Sequence, residues 1–184
     1  MSDYDRRRIY KYFQIDANRI NSSGRLKYMN TLEMWHKNKV IKIRMAQPAH
    51  DEAAYGDRKR ARKAYGYIFT MTECHTPKEL QMLKHIESIL FPKGAITDNQ
   101  KNDIEIAFNA WKYACILVTN DGGSRRQPGG ILGNRDKLKN VGIEVVTDEE
   151  AVALVQQLIQ ERDNRERERS NITGAPLPIW VGCD

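Results

Sequence analysis

Two aspartates follow strand-like runs, at places where a carboxylate can take part in chemistry. Asp16 comes directly after the β-rich run 10–15, and Asp121 comes just after the apolar run 116–119. In an open parallel α/β sheet, ligand sites form outside the carboxyl ends of the strands. We therefore expect both side chains at the same edge of one sheet. The alternative for Asp121 is a loop acid that caps local backbone, because Asn-Asp-Gly is itself typical of turns.

Two further acids are candidates to join this pair. Asp103 lies on the helix predicted before the 116–119 strand, beside a stripe of alanines, so we expect it to be turned partly inward. An inward acid is costly unless it is paired or metal-bound, although a helix dipole also favours an acid in the first turns. For the fourth acid we favour Glu52 over Asp51 and Glu33. The longer side chain of Glu52 can reach over the strand ends. Asp51 is nearer the first turn of its helix, where a role in capping explains an acid.

A cluster of carboxylates predicts a metal ion, because neighbouring carboxylates repel and raise each other's pKa. A divalent hard cation relieves that repulsion, and Mg²⁺ prefers oxygen ligands and keeps several waters. A metal held in this way can orient water for attack on a phosphodiester, in a one-metal or a two-metal version. Arg125 and Arg126 lie nearby in the sequence and are placed to grip phosphates.

Composition and charge limit the classes of protein to consider. The chain has 184 residues, is 40% hydrophobic, and carries a formal net charge of +6, which permits a polyanionic partner. Basic residues cluster at 6–8, 58–63 and 125–126. The alternative to a polyanion-binding role is that these clusters are solvated faces and ends of helices. We expect no membrane span and no secretory signal, and three scattered cysteines predict a reducing, cytoplasmic setting. Phosphate-loop and serine-nucleophile motifs are absent from the sequence.

The elements that must position these acids alternate along the chain. Strands are predicted at residues 10–15, 40–45, 116–119 and 143–146, and 67–72 is ambiguous. Helical patterns are predicted at 26–38, 48–64, 76–91, from 97, at 132–141 and from 147. The alternation predicts an α/β fold with a mainly parallel sheet.

The last part of the chain differs from the rest. Beyond Ile159 the helical pattern carries only charge, with Asp163 and Arg167 at i, i+4 spacing, and we interpret it as a solvated extension. The tail from Gly174 contains prolines and a tryptophan and is expected to dock on its own surface or a partner's. We therefore predict a domain at 1–160 and a charged helical extension with a tail at 161–184.

An ordered set of four motifs resembles the PIN-domain nuclease family. The motifs lie at residues 15–18, 102–107, 116–121 and 141–147, and the resemblance spans most of the chain. It implies a three-layer, Rossmann-like PIN domain with about five strands and flanking helices. It also implies an endoribonuclease that depends on Mg²⁺ or Mn²⁺ to hydrolyse RNA.

The resemblance also assigns roles to residues. It implies a metal-binding and catalytic pocket formed by Asp16, Glu52, Asp103 and Asp121. Substrate-binding roles beside it fall to Asn18, Asn120, Ser124 and Arg125, and either Thr119 or Ser124 would orient a ligand or water.

The resemblance suggests protein partners and leaves a second function open. Small bacterial members resemble toxins of toxin–antitoxin pairs, which makes an antitoxin-like protein inhibitor and a homodimer conceivable. Residues 19–21 and 122–126 depart from the family pattern, and the helix after Thr76 and the tail are longer than in a minimal toxin. The alternative function is a catalytically inactive PIN-like module that binds RNA or a protein.

Overall fold

Five parallel strands form the centre of the fold. The computed structural model describes residues 6–55, 57–123 and 129–184. The strands are β1 (Tyr12–Ile15), β2 (Lys42–Ala46), β3 (Ile68–Thr70), β4 (Ile116–Val118) and β5 (Val145–Val146). Their order is β3-β2-β1-β4-β5, and each neighbouring pair is parallel. The predicted α/β fold is confirmed, and the order is that of a Rossmann-like sheet, with a switch point between β1 and β4.

Helices connect the strands and flank the sheet. They are α1 (Lys27–Lys37), α2 (Gln47–Ala54), α3 (Arg58–Ala64), α4 (Pro77–Leu90), α5 (Asp98–Lys112), α6 (Gly130–Gly133), α7 (Arg135–Asn140) and α8 (Asp148–Thr173). α1 packs on α8, whereas α5 packs on α2 and α4. All three residues of β4 are buried, as expected for a central strand with both faces covered. In the described part of the chain, no helix is both long and apolar enough to cross a bilayer.

Buried polar side chains fix α5 against the sheet. Gln14 lies in the middle of β1, is fully buried, and donates from Nε2 to the carbonyl of Ile106 at 2.8 Å. On the same helix, the Asn109 side chain accepts a hydrogen bond from Thr70 Oγ1 at 2.8 Å and donates to the Met71 carbonyl at 3.0 Å. Because a buried polar group needs a partner, these bonds select one position of α5 relative to β1 and β3.

Helical segments that the sequence presents as continuous are divided in the structure. The stretch predicted as one helix over 48–64 forms α2 and α3, because the Asp57 carboxylate caps a new helix by accepting from the N–H groups of Lys59 and Arg60. The segment predicted at 132–141 likewise forms α6 and α7, and the ambiguous segment contains β3.

The C-terminal helix is less solvated than the charge pattern indicates. α8 is continuous to Thr173, so the predicted charged extension is part of the same helix. The interpretation of a solvated extension is wrong at Arg162 and Asp163, which are each only 4% exposed. Asp163 pairs with Arg162 at 2.6 Å, and Trp180 of the tail packs over that guanidinium. The tail therefore docks on the chain's own surface.

We predict that the start of α8 contributes measurably to stability. The Thr147 hydroxyl accepts from the Glu150 N–H, and the Glu150 carboxylate accepts from the Thr147 N–H. Replacing Thr147 with alanine removes one partner of this capping box and should lower the free energy of unfolding by about 1 kcal/mol in urea titrations. Thr147→Ser keeps the acceptor and should retain most of the stability; an equal loss in both variants would contradict this role of the hydroxyl.

Candidate active site

Asp16 occupies the carboxyl end of β1, beside the switch point of the sheet. Its backbone N–H donates to the Val118 carbonyl at 3.1 Å, which joins the ends of β1 and β4. The 3-10 turn Ala17–Arg19 follows immediately. The residue is only 6% exposed, so the fold largely excludes solvent from this carboxylate. This is the edge at which the sequence predicts a site.

Two neighbours hold the Asp16 side chain in one orientation. Its Oδ2 accepts hydrogen bonds from Thr119 Oγ1 at 2.7 Å and from Asn18 Nδ2 at 2.7 Å. Thr119 is fully buried, and its Oγ1 also accepts from the Asp121 N–H at 3.0 Å. The Asn18 Oδ1 accepts from the Asn120 N–H at 3.2 Å. The ends of β1 and β4 are therefore connected through these side chains, and Asn18, predicted as a substrate contact, serves first to orient Asp16.

The surroundings of Asp16 oppose its ionisation. Burial is the main cause that raises its pKa, and the nearby Asp121 carboxylate raises the pKa further. Hydrogen bonds from Thr119 and Ala17, together with the Arg19 charge, act in the opposite direction without cancelling the effect. A buried carboxylate with a raised pKa at the end of a parallel strand is typical of a residue in a functional site.

Asp121 has the capping role that the sequence left open, and it lies near Asp16 as well. Its Oδ1 accepts from the Gly123 N–H at 3.0 Å, and its Oδ2 accepts from the Ile131 N–H at 2.8 Å. Gly130 has a φ of +53°, and a Cβ there would collide with Asp121 Oδ2 and with the Gly123 nitrogen. The glycine therefore allows α6 to begin directly against this carboxylate.

The three candidates for the fourth acid differ in their contacts. Glu52 is exposed, and its pKa is raised by partial desolvation and by repulsion from Asp16, while Arg60 lowers it. Glu33 instead accepts hydrogen bonds from Lys63 and Tyr67, each at 2.6 Å. Asp51 is exposed and lies 3.3 Å from a ring nitrogen of His50. Electrostatic proximity to Asp16 thus favours Glu52, although its catalytic role stays a prediction.

The remaining predicted residues fall into two groups. Asp103 is half-buried on α5, Asn120 is exposed just after β4, and their roles stay predictions. Ser124 and Arg125 lie outside the described residues, as does Arg126. Across the ranges 6–55, 57–123 and 129–184, no three His, Cys, Asp or Glu side chains form a group that could hold a metal ion as they stand. The pair Asp16 and Asp121, with Glu52 near Asp16, is the acidic centre that the structure describes.

Sequence reasoning missed two arginines that border this centre. Arg60 donates from Nη2 to the Ala17 carbonyl at 2.9 Å, and it is the cation that lowers the pKa of Glu52. Arg19 pairs with Asp148 at 3.4 Å and ties the turn after β1 to the start of α8. The basic cluster at 58–63 indicates a cationic surface that includes Arg60, but the sequence does not show which residue of the cluster turns toward the site.

Comparisons with solved structures give a distant likeness of fold. No family model matches the chain, and no curated protein matches it. The chain is similar to one chain of the crystal structure of VapBC2 from Rickettsia felis bound to a DNA fragment from their promoter. The identity is 19%, the match covers 74% of this chain and 98% of that chain, and the TM-score is 0.47. A likeness at this level does not support a shared activity.

The raised pKa of Asp16 predicts how stability depends on pH. Because the pKa of Asp16 is higher in the folded protein than in the unfolded chain, the protonated carboxyl group favours the folded state. This contribution to stability is fully present below the ordinary aspartate pKa, about 4. That contribution is lost as the pH rises through the higher folded value. We expect Asp16→Asn, which cannot ionise, to be more stable than the unsubstituted chain at pH 7, with a smaller difference at pH 3.

Urea unfolding of both proteins from pH 3 to pH 8 measures this difference, provided that both remain folded at the acidic end. Asp51→Asn, at an exposed acid near the same edge, is the matched control and should show no such trend. A stability advantage of the unsubstituted chain that grows with pH would contradict the raised pKa.

Proposed function

We propose that this chain is a PIN-like, metal-dependent ribonuclease that hydrolyses RNA phosphodiester bonds at the Asp16 edge of the sheet. The observation that carries the proposal is the buried Asp16 carboxylate. It is oriented by Thr119 and Asn18, and it lies close enough to Asp121 for repulsion between the two to raise its pKa. Two neighbouring carboxylates destabilise the fold when both are charged and no cation is bound. Their oxygens are suitable ligands for a hard divalent ion.

The donor chemistry of Asp16 and Asp121 fits Mg²⁺ or Mn²⁺. A carboxylate offers about four lone-pair sites. Asp16 accepts from Asn18, Thr119 and Ala17, and Asp121 accepts from two backbone N–H groups, so both retain acceptor capacity. Mg²⁺ is commonly bound by one or two carboxylates, with waters and substrate phosphates as its other ligands. The absence of a three-acid group among the described residues is therefore compatible with this ion.

The residues around the site have distinct roles in the proposed reaction. Asp16 and Asp121 would hold the cation, which when bound supplies an activated water and stabilises negative charge on a phosphodiester. Thr119 and Asn18 fix the Asp16 oxygens. The Arg60 guanidinium, next to the Ala17 carbonyl, brings positive charge to the rim of the site, where it can contact a phosphate. Glu52 lies near Asp16 and Arg60 and is placed to add a further carboxylate.

The basic face of α3 supports a polyanionic substrate. Arg58, Lys59 and Arg62 are exposed on the helix whose Arg60 reaches the site. A group of cations beside a catalytic edge attracts a nucleic acid backbone and makes binding depend on salt. The choice of RNA comes from the sequence resemblance. An antitoxin-like inhibitor, a homodimer and a cytoplasmic location also stay predictions.

A non-catalytic PIN-like binding module is the second candidate, and one observation favours it. Both carboxylate oxygens of Asp121 already cap backbone N–H groups, so this acid has a structural role without any metal. If that role is complete, the same edge binds RNA or a protein without cutting it.

Cleavage assays on purified protein separate the two candidates. We expect Mn²⁺ or Mg²⁺ to support cleavage of labelled RNA, and Asp16→Asn to abolish it. Thr119→Val, which removes the hydroxyl that orients Asp16, should reduce the rate about 10–100-fold, the usual effect of losing a supporting contact to a metal ligand. Unfolding curves for each variant show whether the fold is intact.

Asp51→Asn is the control variant, because Asp51 is an exposed acid of the same helix as Glu52 and should be dispensable. Cleavage by Asp16→Asn at the unsubstituted rate would contradict the proposed chemistry. A failure of every protein to cleave, combined with salt-dependent RNA binding that Asp16→Asn retains, would support the binding module.

A further inference from the structure

A charged cavity lies at the opposite edge of the sheet from Asp16. Residues 6–11 precede β1, and α8 runs back from the carboxyl end of β5, so these two segments meet near the amino ends of the strands. They line a half-open cavity of about 320 Å³. Its charged lining residues are Arg6, Arg8, Lys11, Arg162, Arg165 and Glu166.

Ion pairs hold two of these arginines in place. Arg6 Nη1 lies 2.8 Å from Glu166 Oε2, and Arg162 Nη2 lies 2.6 Å from oxygens of both Asp163 and Asp184. Arg162 also donates from Nη1 to the Arg7 carbonyl at 2.7 Å. A guanidinium that is already fixed loses little conformational freedom when a ligand arrives.

The other cations of the cavity lack such compensation. Within the described ranges, no carboxylate pairs with Arg8, Lys11 or Arg165. The Arg8 Nε is buried and has no hydrogen-bond partner there. Buried donors normally have a partner, so an unpaired guanidinium nitrogen beside a cationic cavity indicates a missing acceptor. An anion with several oxygens would supply that acceptor and balance the charge.

We propose that this cavity binds a small anion with two or three linked phosphates. Arginine presents its N–H groups as a planar fork that matches phosphate oxygens, and several cations together favour a multiply charged ligand. The cavity volume lies at the lower end of the range for small-molecule sites. The cations come from two chain segments and line one cavity of limited volume, which favours a compact anion over an extended RNA backbone. This site is independent of the proposed nuclease centre.

Isothermal titration with sodium tripolyphosphate, in buffer with EDTA and at constant ionic strength, tests the proposal. We expect saturable binding of one anion per chain. Arg8→Gln and Arg165→Gln should each weaken it by about tenfold or more, the effect of losing one charge-assisted hydrogen bond. Lys84→Gln removes the same charge from an exposed position on α4 and should bind as the unsubstituted chain does. Asp16→Asn should also bind normally.

The same titration with a nucleoside triphosphate distinguishes the source of the phosphates. Tighter binding than tripolyphosphate would identify a nucleotide site, whereas equal affinity would identify a site for the phosphate chain alone. The proposal is overturned if tripolyphosphate does not bind the unsubstituted chain, or if Lys84→Gln weakens binding as much as Arg8→Gln does. Thermal unfolding of the Arg8 and Arg165 variants shows that any loss of affinity occurs in folded protein.

Discussion

The Asp16 carboxylate is held between two parallel strands by the Thr119 hydroxyl and the Asn18 amide, and the rest of the candidate site depends on this junction. The hydrogen bond from the Asp16 N–H to the Val118 carbonyl fixes the backbone there. The two side-chain bonds, each 2.7 Å, then fix the direction of the carboxylate. Because Thr119 also accepts from the Asp121 N–H, the second acid is tied to the same point. A buried carboxyl group is tolerated in a fold when hydrogen bonds satisfy its oxygens, as Thr119 and Asn18 do here.

Other contacts fix the elements that surround this junction. Gly130 is needed because α6 begins against the Asp121 carboxylate, and a side chain there would displace it. Gln14 and Asn109 fix α5, the helix that carries Asp103, against the sheet. These polar contacts make a single arrangement of the strand ends favourable.

Sequence reasoning predicts the features that follow from local patterns. The alternation of strands and helices predicts the parallel sheet, and the helical patterns from 97 and from 147 predict two helix starts, all confirmed. A strand that ends at Ile15 places Asp16 at the site edge because parallel strands share one direction. For Asp121 the turn-like sequence left two roles open, and the structure shows its capping contacts while placing it near Asp16.

Long-range contacts explain what the sequence does not predict. Arg60 reaches Ala17, which is 43 residues away in the chain, and no helical pattern distinguishes it from the other cations of its helix. The charges after Ile159 have regular i, i+4 spacing, which indicates a solvated helix. Arg162 is nevertheless buried, because Asp184 and the Arg7 carbonyl reach it from distant parts of the chain. Partners of this kind become visible only when the chain is folded.

The most direct test of a cation site at Asp16 is an anomalous difference map from crystals soaked in Mn²⁺. We expect a peak at direct coordination distance from the carboxylates of Asp16 and Asp121, and no such peak in Asp16→Asn crystals soaked in the same way. Mn²⁺ bound elsewhere on the chain with no density at Asp16, or an unchanged peak in the Asp16→Asn crystals, would contradict the account.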